Sequence, residues 1–312
     1  MNPFPRPLLR LLLGVLCVLA CASDSYAQKR IGVIMTGDVP YYGVMHETFV
    51  AEINKRFAGG EKFEIILQRP FPNPISWSNA ARKLIAFDVD LIVAYGSPAA
   101  QAVIHERSRI PLVYAGLYEP EQAGIAGDNA TGCGFKIPLS SLVRYLKRLK
   151  AVNTLGLIFS SVEEDSVRQF KSIKGLAEQQ GMQALGIDIR SRTDLEALQE
   201  QKPDAVFLTG SSIAHLWLED ILTILKKEQI PTADIFPDDA GSGVLITLYH
   251  PSRVQGQMAA EMAAKILHGE KPANIAPYIF HETELVFNPV AARYLGITFP
   301  IQMLIEATRV VK

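Results

Sequence analysis

The sequence predicts an α/β fold built from two similar halves, and three observations lead to this prediction. After about residue 28, short apolar runs alternate with amphipathic segments of helix length. The alternation occurs in two series, separated by a glycine-rich stretch at 116–137. The segments between runs are long enough to be crossover helices, which join parallel strands. Each half is therefore expected to be a parallel sheet covered by helices on both faces.

The first half is predicted to contain four strands and three helices. The strands are short apolar runs rich in β-branched residues, at 31–35, 63–67, 90–95 and 111–115. The helices are amphipathic segments at 43–58, 76–87 and 98–107. We predict that 116–137 is a link between the halves, because glycine is frequent there and the apolar periodicity is lost.

The second half repeats the alternation and then departs from it. Helices are predicted at about 138–149, 163–180, 193–200 and 212–228, and strands at 154–159, 183–189, 204–208, 231–236 and 243–248. A periodic helix at 251–268 ends at Gly269. An apolar run at 284–287, a short helix at 289–295 and an apolar segment at 301–311 complete the chain.

The N-terminus has the features of a targeting segment. Arg6 and Arg10 precede an uncharged apolar core at 11–22, and Ser25-Tyr26-Ala27 forms a small-x-small cleavage site before Gln28. We therefore predict that 1–27 is a signal peptide and that the protein is periplasmic or otherwise extracytoplasmic. Two alternatives are an uncleaved signal anchor and a lipid anchor at Cys21, which ends a stretch similar to a lipobox.

Composition and missing motifs exclude several classes of protein. The 312 residues carry a net charge of −1 and form no basic patch, so no nucleic acid is expected as a partner. P-loop, GxGxxG, HExxH, CxxC and GxSxG patterns are absent, so we predict no enzyme activity, no cofactor and no metal. Cys133 is the only cysteine after the predicted signal peptide, and it is interpreted as a packing residue.

Candidate ligand-binding residues follow the ends of several predicted strands. In open α/β sheets, ligands bind in the crevice outside the carboxyl ends of the strands. Small, hydroxylic or acidic residues at these ends are Gly37, Asp38, Gly96, Ser97, Ala99, Ser160, Ser161, Gly210, Ser211, Asp238 and Asp239. Aromatic or imidazole side chains nearby, suited to a ring-bearing ligand, are Tyr41, Tyr42, Tyr114, Tyr118 and His250.

Two local expectations concern helix starts. Ser97 precedes Pro98 and is expected to cap the following helix, leaving the amides of Ala99 and Ala100 free for a carboxylate or carbonyl. The acidic run Glu163-Glu164-Asp165 opens a predicted helix, where the helix dipole favours negative charge. We interpret this run as structural.

Four longer stretches, in this order, resemble a known family. They are DLIVAYGSPAAQA (90–102), IPLVYAGLYEP (110–120), GQMAAEMAAKILHGEKPANI (256–275) and ELVFNPVAARYLGITFP (284–300). They are similar to segments of ABC transporter substrate-binding proteins related to the tryptophan- and tyrosine-binding proteins. That family has the type I periplasmic binding protein fold.

The resemblance implies two lobes, each a parallel sheet flanked by helices, joined by three crossovers. Lobe 1 would comprise 28–134 and 250–282, and lobe 2 would comprise 135–249 and 283–312. The implied function is binding of a small solute, either aromatic or carboxylate-bearing, in the interlobe cleft by hinge closure. A membrane permease would be the partner. The alternative function is that of a sensory receptor acting on a membrane histidine kinase.

The sequence departs from the family at positions that matter for the ligand. Where amino-acid-binding members have His-Pro-x-Leu-Asp, this chain has Asp38-Val39-Pro40-Tyr41-Tyr42. A later aspartate is replaced within Tyr249-His250-Pro251. A desolvated ammonium needs a carboxylate partner, so the case for an α-amino acid is weakened, although Asp38 or Asp239 could substitute. The alternative ligands are an aromatic acid without an amino group and another small carbonyl-bearing solute.

Overall fold

The computed structural model describes residues 28–58, 63–125, 127–237 and 243–311, and these form two β-sheets. The first sheet has six strands in the spatial order β11-β5-β4-β3-β1-β2, and all its paired strands are parallel. The strands are β1 (Lys29–Met35), β2 (Phe63–Gln68), β3 (Leu91–Tyr95), β4 (Leu112–Tyr118), β5 (Ala130–Phe135) and β11 (Tyr278–Phe280).

The second sheet has seven strands in the order β13-β12-β10-β9-β8-β6-β7. They are β6 (Thr154–Phe159), β7 (Gln183–Asp188), β8 (Ala205–Leu208), β9 (Thr232–Asp234), β10 (Ile246–Tyr249), β12 (Glu284–Phe287) and β13 (Arg309–Val310). The prediction of parallel sheets holds except that β12 runs antiparallel to β10. The reason is that β10 ends, and β12 begins, at the side where the chain passes between the sheets.

Helices cover both sheets, which confirms the predicted α/β class. The first sheet packs with α1 (Pro40–Arg56), α2 (Pro74–Ala86), α3 (Ser97–His105) and α9 (Ser252–Leu267). The remaining helices are α4 (Leu139–Leu149), α5 (Glu164–Gln179), α6 (Glu196–Gln201), α7 (Ser212–Leu216), α8 (Leu218–Lys227), α10 (Pro289–Tyr294) and α11 (Ile301–Glu306). The single helix predicted at 212–228 is divided at Trp217, whose amide donates to the Ala214 carbonyl three residues back and ends α7.

The stretch at 116–137, predicted as a link, contains a strand of the first sheet. Its two central glycines are required by packing. A Cβ at Gly134 would lie 2.5 Å from the carbonyl oxygen of Leu117, and one at Gly132 would collide with the carbonyl of Tyr114. The pairing of β4 with β5 shifts register between these two β4 residues. Close backbone approach at an irregular strand pair selects glycine, and the prediction mistook this requirement for a linker.

The chain passes between the sheets three times, after Phe135, after Tyr249 and after Phe280. The His250 ring stacks between the Phe280 ring at 4.4 Å and the Phe135 ring at 6.4 Å. Each crossing segment therefore contributes one ring to this stack. His250 Nδ1 donates to the Glu282 carbonyl at 2.8 Å, whereas Nε2 is buried without a partner. Burial lowers the pKa of His250, so the imidazole is held neutral.

Helix α9 starts after the second sheet and returns to pack against α1 of the first. Gly256 permits this approach, since a Cβ there would meet the Thr48 side chain at 3.0 Å and the Met45 carbonyl oxygen. In the described residues, no helix has the length and apolar character needed to cross a membrane. The predicted signal peptide 1–27, together with Cys21, the site of the alternative lipid anchor, lies outside the described residues.

Candidate functional site

The carboxyl ends of strands from both sheets face one another across a narrow cleft. Gly37 follows β1 and Ser212 follows β8, and a Cβ at Gly37 would lie 2.9 Å from the Ser212 Cβ. We use "the cleft" for the space bordered by Gly37 and Ser97 on the first sheet's side and by Ser160 and Ser212 on the second sheet's side. All three serines are 0% exposed.

The turn from β3 into α3 forms the first-sheet wall of the cleft. Gly96 is the N-cap residue at φ +87°, and a Cβ there would lie 2.5 Å from the Tyr42 hydroxyl oxygen. Ser97 is therefore the first helical residue instead of the predicted cap, and its hydroxyl has no partner. The expectation of free amides was wrong. The Ala99 amide donates to Thr36 Oγ1 at 3.3 Å, and the Ala100 amide donates to the Gly96 carbonyl at 3.2 Å.

Aromatic rings from opposite sides meet at the cleft. Tyr41 and Tyr42 lie in the first turn of α1, which begins at Pro40. The Tyr41 ring stacks on Phe236 of the second-sheet side with centroids 4.7 Å apart and an interplanar angle of 15°. Gln255 fixes this ring, because its Nε2 donates to the Tyr41 hydroxyl at 2.6 Å while its Oε1 accepts the Gly116 amide at 2.7 Å.

Phe236 is in contact with a buried charged pair, His215 and Asp234. His215 Nδ1 contacts the Ser211 carbonyl at 2.7 Å, and His215 Nε2 contacts Asp234 Oδ2 at 2.9 Å. Both partners are acceptors, so both ring nitrogens donate and the ring is an imidazolium. Burial lowers the pKa of His215, but the charge and hydrogen bond of Asp234, the Ser211 carbonyl and the Glu163 charge together outweigh burial, and the net shift is upward. The other Asp234 oxygen accepts the Phe236 amide at 2.9 Å.

Glu163, just before α5, organises the turn that carries Ser212. Its carboxylate accepts hydrogen bonds from the Ser211 hydroxyl, from the Ser212 amide at 2.9 Å and from the Ile213 amide at 3.3 Å. Burial, and then the nearby charge of Asp165, raise the pKa of Glu163 to about 7. Both carboxylate oxygens are thus occupied by protein donors.

Asp165 and Arg168 lie one turn apart on α5 and face the first-sheet side. Asp165 is 5% exposed, and its Oδ1 has no hydrogen-bond partner. Burial raises the pKa of Asp165 to about 6, although the Arg168 charge partly opposes this shift. Arg168 Nη2 donates to the Tyr118 carbonyl at 3.4 Å, whereas its Nε is buried and unpartnered. The charge of Asp165 acts across the cleft, since it contributes, after burial, to the raised pKa of Tyr42.

Buried polar atoms without partners are concentrated at this cleft. Among the described residues, six buried side-chain atoms lack a hydrogen-bond partner, and one of them is His250 Nε2 at the crossovers. The other five belong to Ser97, Ser160, Asp165, Arg168 and Ser212. The Ser212 hydroxyl lies near Tyr42 without meeting hydrogen-bond geometry. Because buried polar groups are nearly always satisfied, the cluster has the chemistry of a site for a polar ligand.

One further contact joins the two sides directly. Gln101 Nε2 of α3 donates to Glu164 Oε2 of α5 at 2.8 Å. The Arg168–Tyr118 contact and the Tyr41–Phe236 stack also join the two sides, so three contacts bridge the cleft.

The structure brings most of the predicted site residues together, but not all. Those at the cleft or on its immediate supports are Gly37, Tyr41, Tyr42, Gly96, Ser97, Ala99, Tyr118, Ser160, Gly210 and Ser211. Asp38 is exposed and lies 3.5 Å from Arg69, and Ser161 is exposed with its amide bonded to Asp188. Tyr114 packs in the apolar cluster on the α2–α3 side of the first sheet. Asp238 and Asp239 lie outside the described residues.

Sequence reasoning missed the carboxylates and the ring that close the second-sheet side. The acidic run at 163–165 was interpreted as helix-dipole chemistry, yet Glu163 and Asp165 are buried and only Glu164 is exposed. Glu163 and Asp165 therefore point inwards at the start of α5, whereas Glu164 points outwards. The direction of a side chain at a helix start cannot be read from the sequence. Phe236 follows a short strand and carries no polar signal.

The described residues do not favour metal binding or cysteine chemistry. In the described part of the chain, no group of three or more His, Cys, Asp or Glu side chains is arranged to hold a metal ion. Cys133 is fully buried, and burial raises the pKa of its thiol. The protonated thiol is a poor nucleophile, in agreement with a packing role.

Comparison with known proteins gives a consistent picture. Residues 71–311 match the family model described as ABC transporter substrate binding protein. The chain is 21% identical over 277 residues to a tyrosine-binding protein of Clostridioides difficile strain R20291, a match that covers 85% of this chain and 80% of that protein.

Two solved structures show the same fold. A Streptococcus pneumonia ABC domain in complex with L-Trp superposes with a TM-score of 0.85 at 22% identity, covering 91% of this chain and 100% of that one. The ligand-free, open structure of a Clostridium difficile substrate binding protein with adhesive properties gives 0.63 at 21% identity, covering 91% and 99%. Because the family model matches most of the sequence, the chain belongs to the ABC transporter substrate-binding proteins, which bind solutes and are not enzymes.

Proposed function

We propose that this chain is an exported receptor that binds one small solute in the cleft, closes around it and presents it to a membrane permease. The observation that carries the proposal is the set of five buried, unpartnered polar atoms contributed by both sides of the cleft. A solute that satisfies these atoms contacts both sides only when the cleft is closed. Such differential contact is what shifts a two-state equilibrium towards closure.

The moving bodies in this proposal are two lobes, 28–134 with 250–282 and 135–249 with 283–312. Each lobe contains one sheet, and the three crossing segments form the hinge. The rings of Phe135, His250 and Phe280 stack on one another at these segments, so the three hinge segments are packed together. The much closer superposition on the L-Trp complex than on the open, ligand-free relative supports the assignment of the described arrangement to the closed state.

The chemistry of the cleft indicates a solute with both an apolar body and a polar end. Tyr41, Tyr42 and Phe236 supply ring surface, and the five unpartnered atoms supply polar contacts. One relative is named as a tyrosine-binding protein, and one similar solved structure is a complex with L-Trp. Aromatic amino acids and aromatic acids of similar size are therefore the first solutes to test.

We place the mature protein outside the cytoplasm, beginning near Gln28. The support is the arginine-flanked apolar core, the small-x-small site at 25–27 and membership of a transporter-linked family. Mass spectrometry of the exported protein distinguishes cleavage after Ala27 from lipidation at Cys21.

A thermal-shift screen tests the proposed function. The mature chain is melted with L-tryptophan, L-tyrosine, 3-indolepropionate, 3-(4-hydroxyphenyl)propionate and a set of nucleosides. Ligand that binds only the folded state raises the melting temperature by mass action. At least one solute is expected to do so. If none stabilises the protein, and no solute is released on unfolding, the receptor function is refuted.

A pair of adjacent serines tests the location of the site. Ser160 is buried with its hydroxyl unpartnered, whereas Ser161 is exposed beside it. The Ser160→Ala variant is expected to weaken binding of the stabilising solute, and Ser161→Ala serves as the matched control with unchanged affinity. Equal affinities for both variants and the wild type would remove Ser160 from the site.

A further inference from the structure

We propose that Asp165 is the specificity-determining residue of the cleft and that it binds a protonated amine of the solute. The proposal rests on the cleft being the solute site. It assigns the carboxylate that an ammonium group requires to α5, and not to Asp38 or Asp239, the positions suggested by the sequence.

The other described acidic groups near the cleft are already occupied. Glu163 accepts three protein hydrogen bonds on its two oxygens. Asp234 gives one oxygen to His215 and the other to the Phe236 amide. Asp38 is exposed and lies beside Arg69, and Glu164 is exposed and accepts the Gln101 side-chain amide. Asp165 is the acid in this set with a buried oxygen that no protein donor reaches.

The surroundings of Asp165 favour a cation over a neutral donor. A carboxylate oxygen can only accept, so the solute must donate. Glu164 adds negative charge on the same segment, and the Asp165 charge reaches Tyr42 of α1, whose pKa it raises in addition to burial. Arg168 is the cation that acts on Asp165. An ammonium group brings a second positive charge to this acidic region and supplies the missing hydrogen bond, which a hydroxyl does only in part.

Arg168 complements Asp165 by pointing a donor at the same end of the solute. Its Nε is buried and unpartnered while its Nη2 is engaged by the Tyr118 carbonyl. An oxygen of the solute is therefore expected next to the amine. The two residues, three positions apart on α5, lie on one helix face and can contact adjacent groups of one molecule.

Matched solutes with and without the amine test the assignment by calorimetry. The pairs are L-tryptophan with 3-indolepropionate, L-tyrosine with 3-(4-hydroxyphenyl)propionate and L-leucine with 4-methylpentanoate. The wild type is expected to bind at least one amine at least tenfold more tightly than its deaminated partner. In Asp165→Asn, which keeps the shape of the side chain, affinity for that amine is expected to fall about ten- to hundredfold. Affinity for the deaminated partner is expected to hold or rise.

A pH profile provides a readout that a structural role would not change. Burial raises the pKa of Asp165 to about 6 in the closed arrangement, so a deaminated solute, which leaves this carboxyl without a partner, binds better when the carboxyl is protonated. The preference of the wild type for the amine is therefore expected to shrink as the pH falls from 8 to 5. Asp165→Asn is expected to show a smaller change, and its melting temperature without solute checks that it folds.

The outcomes separate the inference from the function on which it rests. Equal binding of amine and deaminated acid, or a preference for the amine that does not change with pH, would overturn the role of Asp165 and leave the receptor function standing. Binding of no solute by the folded wild type, in the pairs or in the wider screen, would overturn both.

Discussion

The stack between Tyr41 and Phe236 joins the two sides of the cleft, so weakening it should shift the balance between closed and open states. We consider the substitution Phe236→Leu, which keeps an apolar side chain and removes the ring. A stacked aromatic pair contributes about 0.5–1.5 kcal/mol beyond its buried area. The closed-to-open ratio should therefore fall about two- to twelvefold, since 1.4 kcal/mol corresponds to a factor of ten.

The measurement is solute affinity, because apparent affinity scales with the fraction of protein in the binding-competent state. If the open state is the major one without solute, the dissociation constant of Phe236→Leu should rise by at least this factor, because the ring also borders the solute. Phe159→Leu is the matched control, because Phe159 stacks on Phe170 at 4.2 Å entirely on the second-sheet side. The control should lower the melting temperature without changing affinity.

Two results would refute this reasoning. One is unchanged affinity in Phe236→Leu, which would mean that the two rings stay together in the open state or contribute nothing to closure. The other is an equal loss of affinity in Phe159→Leu, which would trace both effects to general destabilisation of the fold.

Three further predictions concern buried polar groups. The pKa of His250 is lowered, so its stabilising contribution is present above the unfolded value of about 6.5 and is lost as pH falls through the folded value. Acidification from pH 8 to pH 5 should therefore lower the urea midpoint more in the wild type than in His250→Phe. Equal losses in the two proteins would contradict this. The pKa of His215 is raised, so its contribution to folding stability is present below about 6.5 and is lost as pH rises through the folded value. Nitrogen NMR at pH 6.5 should show both ring nitrogens protonated. A neutral tautomer would contradict the imidazolium assignment. Gln255→Leu leaves the buried Gly116 amide and the Tyr41 hydroxyl without partners and should cost about 1–3 kcal/mol of unfolding free energy by denaturant titration, whereas an unchanged midpoint would show that the bridge is dispensable.

The fold could be predicted from the sequence because hydrophobic period and chain order determine it. The run 91–95 is apolar throughout, as strands buried on both faces are. Two of the failures share one cause, which is contact between segments distant in the chain. Gly132 and Gly134 look like a linker until β4 lies against them, and β12 reverses direction because of where it enters the second sheet.

The site could be predicted only in part. Strand-end residues such as Ser97 and Ser160 were found because a parallel sheet places its carboxyl ends on one edge. Asp165 was missed because its role depends on the depth to which α5 is buried against the opposite side. His250 follows a strand, as predicted, but the crossings of the chain place it between two phenylalanine rings.

The central claim is that a solute closes the two lobes around the cleft, and the most direct measurement is the distance between them. Spin labels at Lys83 on α2 and Lys227 on α8, both exposed, report this distance by pulsed electron resonance. The solute with the largest thermal stabilisation should convert a broad or two-peaked distance distribution into a single narrow one, and Phe236→Leu should need more solute to do so. An identical distribution with and without saturating solute would contradict closure.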